Sequence, residues 1–167
     1  MLDVLGPQAL RVLTHPIYPA PLAGALAVLD ASTHHVLEIG CHLGKSTEVV
    51  QQRVTDAKGT GRVIGVDIGP AIIAKARKRS PSIQYECMSA WETEDLLSLG
   101  VPFDVILVDV GGLSGHDCVL DSVALLMQLC YAFKSSVKFV IIKSKCMRDL
   151  SKTFVGWHST WGEGGVA

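Results

Sequence analysis

The chain has 167 residues, of which 49% are hydrophobic and 19% are charged, so one domain with a sizeable core is expected. Its 15 basic and 16 acidic side chains give a net charge of -1, which indicates neither nucleic acid nor a membrane surface as partner but leaves room for a local basic patch. No apolar run approaches the ~20 residues that cross a bilayer. The five cysteines form no C-x-x-C pair, which favours free thiols in a reducing compartment, cytoplasmic or nuclear, and indicates no metal site.

Strand and helix patterns alternate five times along the chain. Residues 1–33 are expected to form a lead-in, with a short helix over 8–13 and a second over 21–29. The main domain is expected over 34–150, followed by a Gly- and Trp-rich tail over 151–167. The predicted strands are near-continuous apolar runs at 35–39, 62–67, 83–87, 103–110 and 137–142. The predicted helices that follow the first four strands cover 46–54, 71–79, 93–99 and 113–133. This alternation predicts an α/β fold with a parallel sheet covered by helices on both faces.

The turn after the first predicted strand has the composition of a ligand-binding loop. It reads EIGCHLGKST from Glu38 to Thr47, and Gly40 and Gly44 allow a tight bend and a close approach of ligand to backbone. The next helix would offer unpaired N–H groups, with Ser46 or Thr47 as its cap. Ligands of open parallel sheets bind at the carboxyl ends of the strands, so this turn is a candidate site. A purely structural glycine turn is the alternative.

Asp67 ends the second predicted strand, at the same edge of the predicted sheet. An acid at this position accepts hydrogen bonds from both ribose hydroxyls of a nucleotide-like ligand. A solvated turn aspartate is the simpler alternative. The pair of features, a glycine turn and a second-strand acid, predicts a nucleotide-like ligand.

These two motifs resemble those of the class I S-adenosylmethionine-dependent methyltransferases, over roughly residues 34–146. The family carries an acid two residues before its first glycine, as in Glu38-Ile39-Gly40, whereas a nicotinamide-binding protein would carry G-x-G-x-x-G. The resemblance implies S-adenosyl-L-methionine as cofactor and a three-layer Rossmann-like sheet in parallel strand order 3-2-1-4-5. It also implies that the usual C-terminal antiparallel edge is shortened or missing in this chain.

The resemblance implies that the glycine turn cradles the methionine part of the cofactor and that the second-strand acid binds the ribose. The implied cofactor-binding residues are Glu38, Gly40, Cys41, His42, Gly44, Ser46, Asp67, Ile68, Ser89, Ala90, Trp91 and Asp109. Two of them depart from the family pattern. His42 stands where a middle glycine is frequent, and Ser89 where an aspartate often contacts the adenine amine. The Ser89 hydroxyl and the Ala90 N–H still offer hydrogen bonds, and Trp91 is a candidate to flank the adenine.

Asp109 and Lys143 end the fourth and fifth predicted strands. They match an aspartate and a lysine of fibrillarin and related ribose 2′-O-methyltransferases, and this resemblance implies a catalytic pair that orients a hydroxyl and lowers its pKa. A structural ion pair is the alternative. The metal site of the catechol O-methyltransferase-like group is not expected, because the ammonium groups of Lys143 and Lys145 stand where a hard cation needs oxygen ligands.

The sequence therefore predicts a methyltransferase that moves a methyl group to a hydroxyl or similar nucleophile. RNA is one candidate acceptor, through the basic cluster Lys75, Arg77, Lys78 and Arg79. A small-molecule O-methyltransferase, a methyltransferase-like protein that binds without turnover, and a nicotinamide-binding protein stay open. The fifth predicted strand would be a free edge, so an oligomer through that strand and the tail tryptophans Trp157 and Trp161 is also expected.

Overall fold

Six parallel strands form one sheet in the computed structural model, which describes residues 11–15, 29–111, 118–147 and 149–150. The strands are β1 (Arg11–His15), β2 (Val36–Ile39), β3 (Val63–Asp67), β4 (Gln84–Cys87), β5 (Val105–Val108) and β6 (Phe139–Lys143). The helices are α1 (Lys45–Asp56), α2 (Pro70–Arg79), α3 (Thr93–Ser98) and α4 (Val119–Ala132). The spatial order β1-β6-β5-β2-β3-β4 contains the five predicted strands in the predicted order 3-2-1-4-5.

Strand β1 corrects the prediction for the lead-in. The helix expected over 8–13 is wrong at its described residues, because Arg11–His15 is a strand that pairs in parallel with β6. A short apolar run fits either structure, and here a pairing that is distant in sequence decides between them. Strand β6, the fifth predicted strand, is paired with both β1 and β5. The prediction that this strand is a free edge, and the prediction of an oligomer through it, are therefore also wrong. Residues 21–28 of the second predicted helix and the tail over 151–167 lie outside the described residues.

Both faces of the sheet are buried, which explains the continuous apolar runs of its strands. Every residue of β2 and of β5 is buried. One face packs against α3 and α4, with Phe103 and Leu125 at its centre. The other face packs against α1 through Val50 and Val54. The layers confirm the predicted three-layer α/β fold, and Glu38 is the one charged side chain among the residues of β2.

The parallel strands bring all their carboxyl ends to one edge of the sheet. The turns that follow β2, β3, β4 and β5 therefore lie side by side there, and β6 ends at the same edge with Lys143. This edge holds the predicted site residues. Among the described residues, no helix is both long and apolar enough to cross a membrane.

Candidate active site

The turn between β2 and α1 is folded tightly enough to need glycine at two positions. Gly40 and Gly44 have φ angles of 83° and 76°, in the left-handed region. A Cβ atom on Gly40 would collide with the backbone carbonyl of Asp109, and one on Gly44 would collide with the ring of Tyr85. The buried Tyr85 hydroxyl donates a hydrogen bond to the Gly44 carbonyl at 3.3 Å. The turn is thus held between the end of β5 and strand β4.

His42 occupies the middle of this turn with a φ angle of 49°, also in the left-handed region. Such a conformation costs a residue with a side chain roughly 1–2 kcal/mol, so the turn tolerates histidine where glycine would be unstrained. Its backbone N–H donates to Asp67 Oδ2 at 3.0 Å, and the Gly69 N–H donates to Asp67 Oδ1 at 3.0 Å. Each Asp67 oxygen keeps a further lone pair for a ligand hydroxyl. Histidine in place of the frequent glycine at position 42 therefore does not disturb the hydrogen bonds that orient the Asp67 carboxylate.

Glu38 lies behind the turn and lines neither of the two cavities described below. Its buried carboxylate accepts hydrogen bonds from Ser46 Oγ and, at 2.5 Å, from Thr47 Oγ1. Burial raises the pKa of Glu38 to about 7, although these two hydrogen bonds act to lower it. Ser46 and Thr47 thus connect β2 to the first turn of α1 instead of capping the helix, whose N-cap is Gly44. The structure places Glu38 as a support of the turn.

We expect Glu38→Gln to flatten the pH dependence of stability. The pKa of Glu38 is about 7 in the folded protein against 4.5 for an ordinary glutamate, so the folded chain binds this proton more tightly. The resulting stabilisation is complete below pH 4.5 and is lost as the pH rises through about 7. Glutamine has the same shape and does not ionise. Urea unfolding across this pH range measures the free energy of unfolding of both proteins. Parallel plots of this free energy against pH for variant and wild type would contradict the prediction.

Two cavities open along the carboxyl edge and share Gly40, Asp67, Asp109 and Gly111. The first, of about 390 Å³, lies at the amino end of α1 and has the more polar lining of the two, and its other lining residues are Cys41, His42, Leu43, Lys45 and Ser46. The second, of about 310 Å³, is mainly apolar, and its other lining residues are Ile39, Val66, Ile68, Met88, Ser89, Ala90, Trp91 and Val110. A ligand that spans both would place its more polar end at the amino end of α1 and an apolar group in the second cavity.

The second cavity is a slot between two exposed apolar side chains. Ile68 is 73% exposed and Trp91 is 43% exposed, and large apolar side chains left open beside a cavity are typical of a ligand contact. The Ser89 hydroxyl accepts a hydrogen bond from the Trp91 N–H at 3.2 Å, which closes the loop after β4. Gln128 of α4 donates to the Trp91 carbonyl at 2.8 Å and ties this loop to the helix layer.

Cys41 lines the first cavity as a neutral thiol. Burial raises its pKa to about 12, and the nearby carboxylates of Glu38 and Asp67 act in the same direction. A thiol that does not ionise near neutral pH is not a nucleophile. Cys41 therefore contributes a small apolar surface beneath the ligand space.

Asp109 and Lys143 form an ion pair at the mouth of the cavities. Lys143 Nζ lies 2.9 Å from both carboxylate oxygens of Asp109, and the two side chains are 27% and 26% exposed. Their strands are neighbours, with Val108 beside Ile142, so the residues that follow meet at the same level. The Asp109 N–H donates to the Ile39 carbonyl at 2.8 Å and keeps the pair beside the glycine turn. The structure thus brings the two predicted residues together within reach of one hydroxyl.

The basic cluster of α2 does not face these cavities. Arg77 pairs with Glu86 at 2.8 Å, and Arg79 pairs with Glu48 at 2.8 Å, while the two lysines of the cluster are exposed. Helix α2 begins at the carboxyl edge after β3 and runs back, so its basic last turn lies toward the opposite edge. The arginines thus make structural contacts, and a role of this cluster in RNA binding stays a prediction.

Several residues of the site were not expected from the sequence. Tyr85 supports Gly44, Gly69 fixes Asp67 and Met88 lines the apolar slot, while Thr47, expected only as a helix cap, holds Glu38. The alternation of polar and apolar residues over 84–87 was the available sequence signal for Tyr85. His15 ends β1 beside Lys143 in the sheet register, a placement that no local pattern of the sequence reveals.

The sheet order, the glycine turn and the Asp67 carboxylate are those of the Rossmann-like class I methyltransferases. The sequence matches the FtsJ-like methyltransferase family over residues 22–154, most of its length, and the chain belongs to this family. The family uses S-adenosyl-L-methionine, so the predicted class and its cofactor are confirmed at the level of the family.

Individual relatives are more distant. Over 67 residues, 40% of this chain, the sequence is 34% identical to trans-aconitate 2-methyltransferase of Methylobacterium nodulans, of which the match spans 24%. Fibrillarin of Aeropyrum pernix, solved with natively bound S-adenosyl-L-methionine, is 19% identical with a TM-score of 0.51, over 68% of this chain and 47% of that one. Fibrillarin in a fibrillarin/Nop5p complex is 13% identical with a TM-score of 0.55, over 77% and 63%. At these identities the two structures share the fold alone, and the chain spans under two thirds of each relative.

Proposed function

We propose that this chain binds S-adenosyl-L-methionine and transfers its methyl group to a hydroxyl held by Asp109 and Lys143. The observation that carries the proposal is the two-pronged ion pair at the ends of β5 and β6, with Asp109 lining both cavities. An ion pair that only stabilises the fold would not require a position where two cavities meet.

The described residues fit the proposed cofactor. Asp67, held by two backbone N–H groups, has acceptor capacity for the ribose hydroxyls. The amino end of α1 offers N–H groups to the methionine carboxylate. The slot between Ile68 and Trp91 suits the adenine. When bound, this cofactor supplies an electrophilic methyl group on a sulfonium.

The chain's own part in the reaction falls to the ion pair. An acceptor hydroxyl that contacts both side-chain tips donates its proton toward the Asp109 carboxylate, which acts as general base. The Lys143 ammonium stabilises the negative charge that develops on the acceptor oxygen. The backbone bond from Asp109 to Ile39 fixes the base relative to the glycine turn. Both groups are a quarter exposed, so an acceptor reaches them from solvent.

For the acceptor we favour an RNA hydroxyl, supported by the placement of Asp109 and Lys143 at positions that resemble those of ribose 2′-O-methyltransferases. A small-molecule acceptor is the second candidate, because the curated relative over 67 residues is trans-aconitate 2-methyltransferase. Both candidate functions use the same cofactor cavity and the same ion pair. They differ only in whether the acceptor that enters from solvent is an RNA or a small molecule.

Transfer of tritiated methyl groups tests the proposal. Purified protein is incubated with labelled cofactor and, separately, with total RNA, total protein or a small-metabolite extract. Label in nuclease-sensitive material supports an RNA acceptor, whereas label only among small molecules supports the second candidate. Calorimetric binding of the cofactor without transfer to any pool would overturn the catalytic proposal and favour a binding protein.

A further inference from the structure

Helix α4 carries an apolar stripe on the face that points away from the sheet. Leu120, Met127 and Tyr131 are 81%, 68% and 72% exposed, and Ala124 is exposed between them. The successive spacings of four, three and four residues place all four on one side of a helix. These residues, here named the α4 stripe, lie opposite the positions through which α4 enters the core.

The α4 stripe is unusual for this molecule. It holds three of the large exposed apolar side chains of the described residues in one row on a single helix. Scattered apolar side chains are normal on a surface, but a contiguous row is typical of an interaction site. Unlike Ile68 and Trp91, the row lines neither of the cavities at the carboxyl edge, so the proposed cofactor does not account for it.

We propose that the α4 stripe is the interface of a homodimer in which two α4 helices pack antiparallel about a two-fold axis. A two-fold interface uses the same patch twice, so the patch must complement itself when reversed. With the axis midway along the stripe, Leu120 faces the partner's Tyr131 and Ala124 faces the partner's Met127. Alanine, the smallest side chain of the stripe, thus packs against methionine, the most flexible one, and this combination allows the two helices to approach closely.

The charges beside the stripe favour the same arrangement. Asp121 lies at the amino end of α4, and Lys134 follows its carboxyl end, with Nζ 4.6 Å from the centre of the Tyr131 ring. In the antiparallel pair the partner's Lys134 is offset from Asp121 by about 6 Å along the helix axis, so the two opposite charges lie at the same end of the interface. A parallel pair would bring like charges together. Size and charge are therefore both matched within one sequence, which favours a second copy over an unrelated partner.

Sedimentation velocity of the full chain over a wide concentration range tests the interface. A species of twice the monomer mass is expected, and Met127→Glu should raise its dissociation constant at least tenfold, because it places a charge at the centre of each stripe. The matched control is Val49→Glu, which adds the same charge at an exposed apolar position of α1 and should leave the dimer unchanged. A chain that stays monomeric, or a dimer that Met127→Glu does not weaken, would overturn the proposal.

Charge exchange provides the second test and does not depend on apolar contacts. Asp121→Lys and Lys134→Asp, made singly, should each weaken the dimer because like charges then face each other. The double variant restores opposite charges only if the two positions meet across a two-fold axis. Recovery of the dimer in the double variant supports the arrangement, and further weakening would overturn it. Both tests measure the mass of the sedimenting species. A negative result would therefore refute the dimer without bearing on the proposed methyl transfer.

Discussion

Replacing Lys143 with alanine is expected to lower the rate of methyl transfer by about 10²–10⁴-fold while cofactor affinity stays nearly unchanged. Its ammonium lies 2.9 Å from both oxygens of Asp109 and lines neither cavity, so it acts on the acceptor and not on the cofactor. Single-turnover transfer measures the loss, and calorimetry with S-adenosylmethionine measures the affinity. A large fall in affinity would contradict the assigned role.

The sheet offers a matched control for this experiment. Lys138 and Asp104 form a second lysine–aspartate pair, at 3.0 Å, before the first residues of the same two strands β6 and β5. Lys138→Ala removes a similar ion pair at the opposite edge, away from the cavities. We expect it to leave the transfer rate within a few-fold of wild type. Equal loss in both variants would mean that Lys143 acts through stability, not through the acceptor.

The parts of the fold that the sequence predicted depend on local patterns with a strong physical cause. Strands buried on both faces must be continuous apolar runs, so β2, β3 and β5 were recognisable, and the resemblance to the class I methyltransferases supplied their order. The contact of Asp109 with Lys143 followed, because both residues end strands that the order makes neighbours. A prediction about a side-chain pair was possible here because parallel strands align their ends.

Other features depend on contacts between distant parts of the chain and were not predictable. The run over Arg11–His15 fits a helix as well as a strand, and its pairing with the distant strand β6 decides between them. Glu38 belongs to the motif that indicated a cofactor, yet its carboxylate turns to the hydroxyls of α1. In the sequence, the arginines of α2 form part of a basic cluster. In the structure they pair with acidic side chains of α1 and β4, which are distant in sequence.

Replacing Asp67 with alanine is expected to lower cofactor affinity about a hundredfold or more. Two hydrogen bonds from ribose hydroxyls to a carboxylate contribute about 1.5–3 kcal/mol each, and every 1.4 kcal/mol is tenfold in affinity. The same change leaves the N–H groups of His42 and Gly69 without their acceptor, so part of the loss would come from a disturbed turn. Calorimetry at constant pH measures the total.

A cofactor analogue that lacks both ribose hydroxyls separates the two contributions. If Asp67 binds those hydroxyls, wild type should lose affinity for the analogue, and Asp67→Ala should lose little more, because the contact is already absent. If Asp67 only supports the turn, the variant should weaken both ligands by the same factor. Asp95→Ala, at an exposed acid of α3 outside both cavities, is the control for the loss of one negative charge. Equal weakening of both ligands would therefore remove Asp67 from the ribose site and leave it as a support for His42.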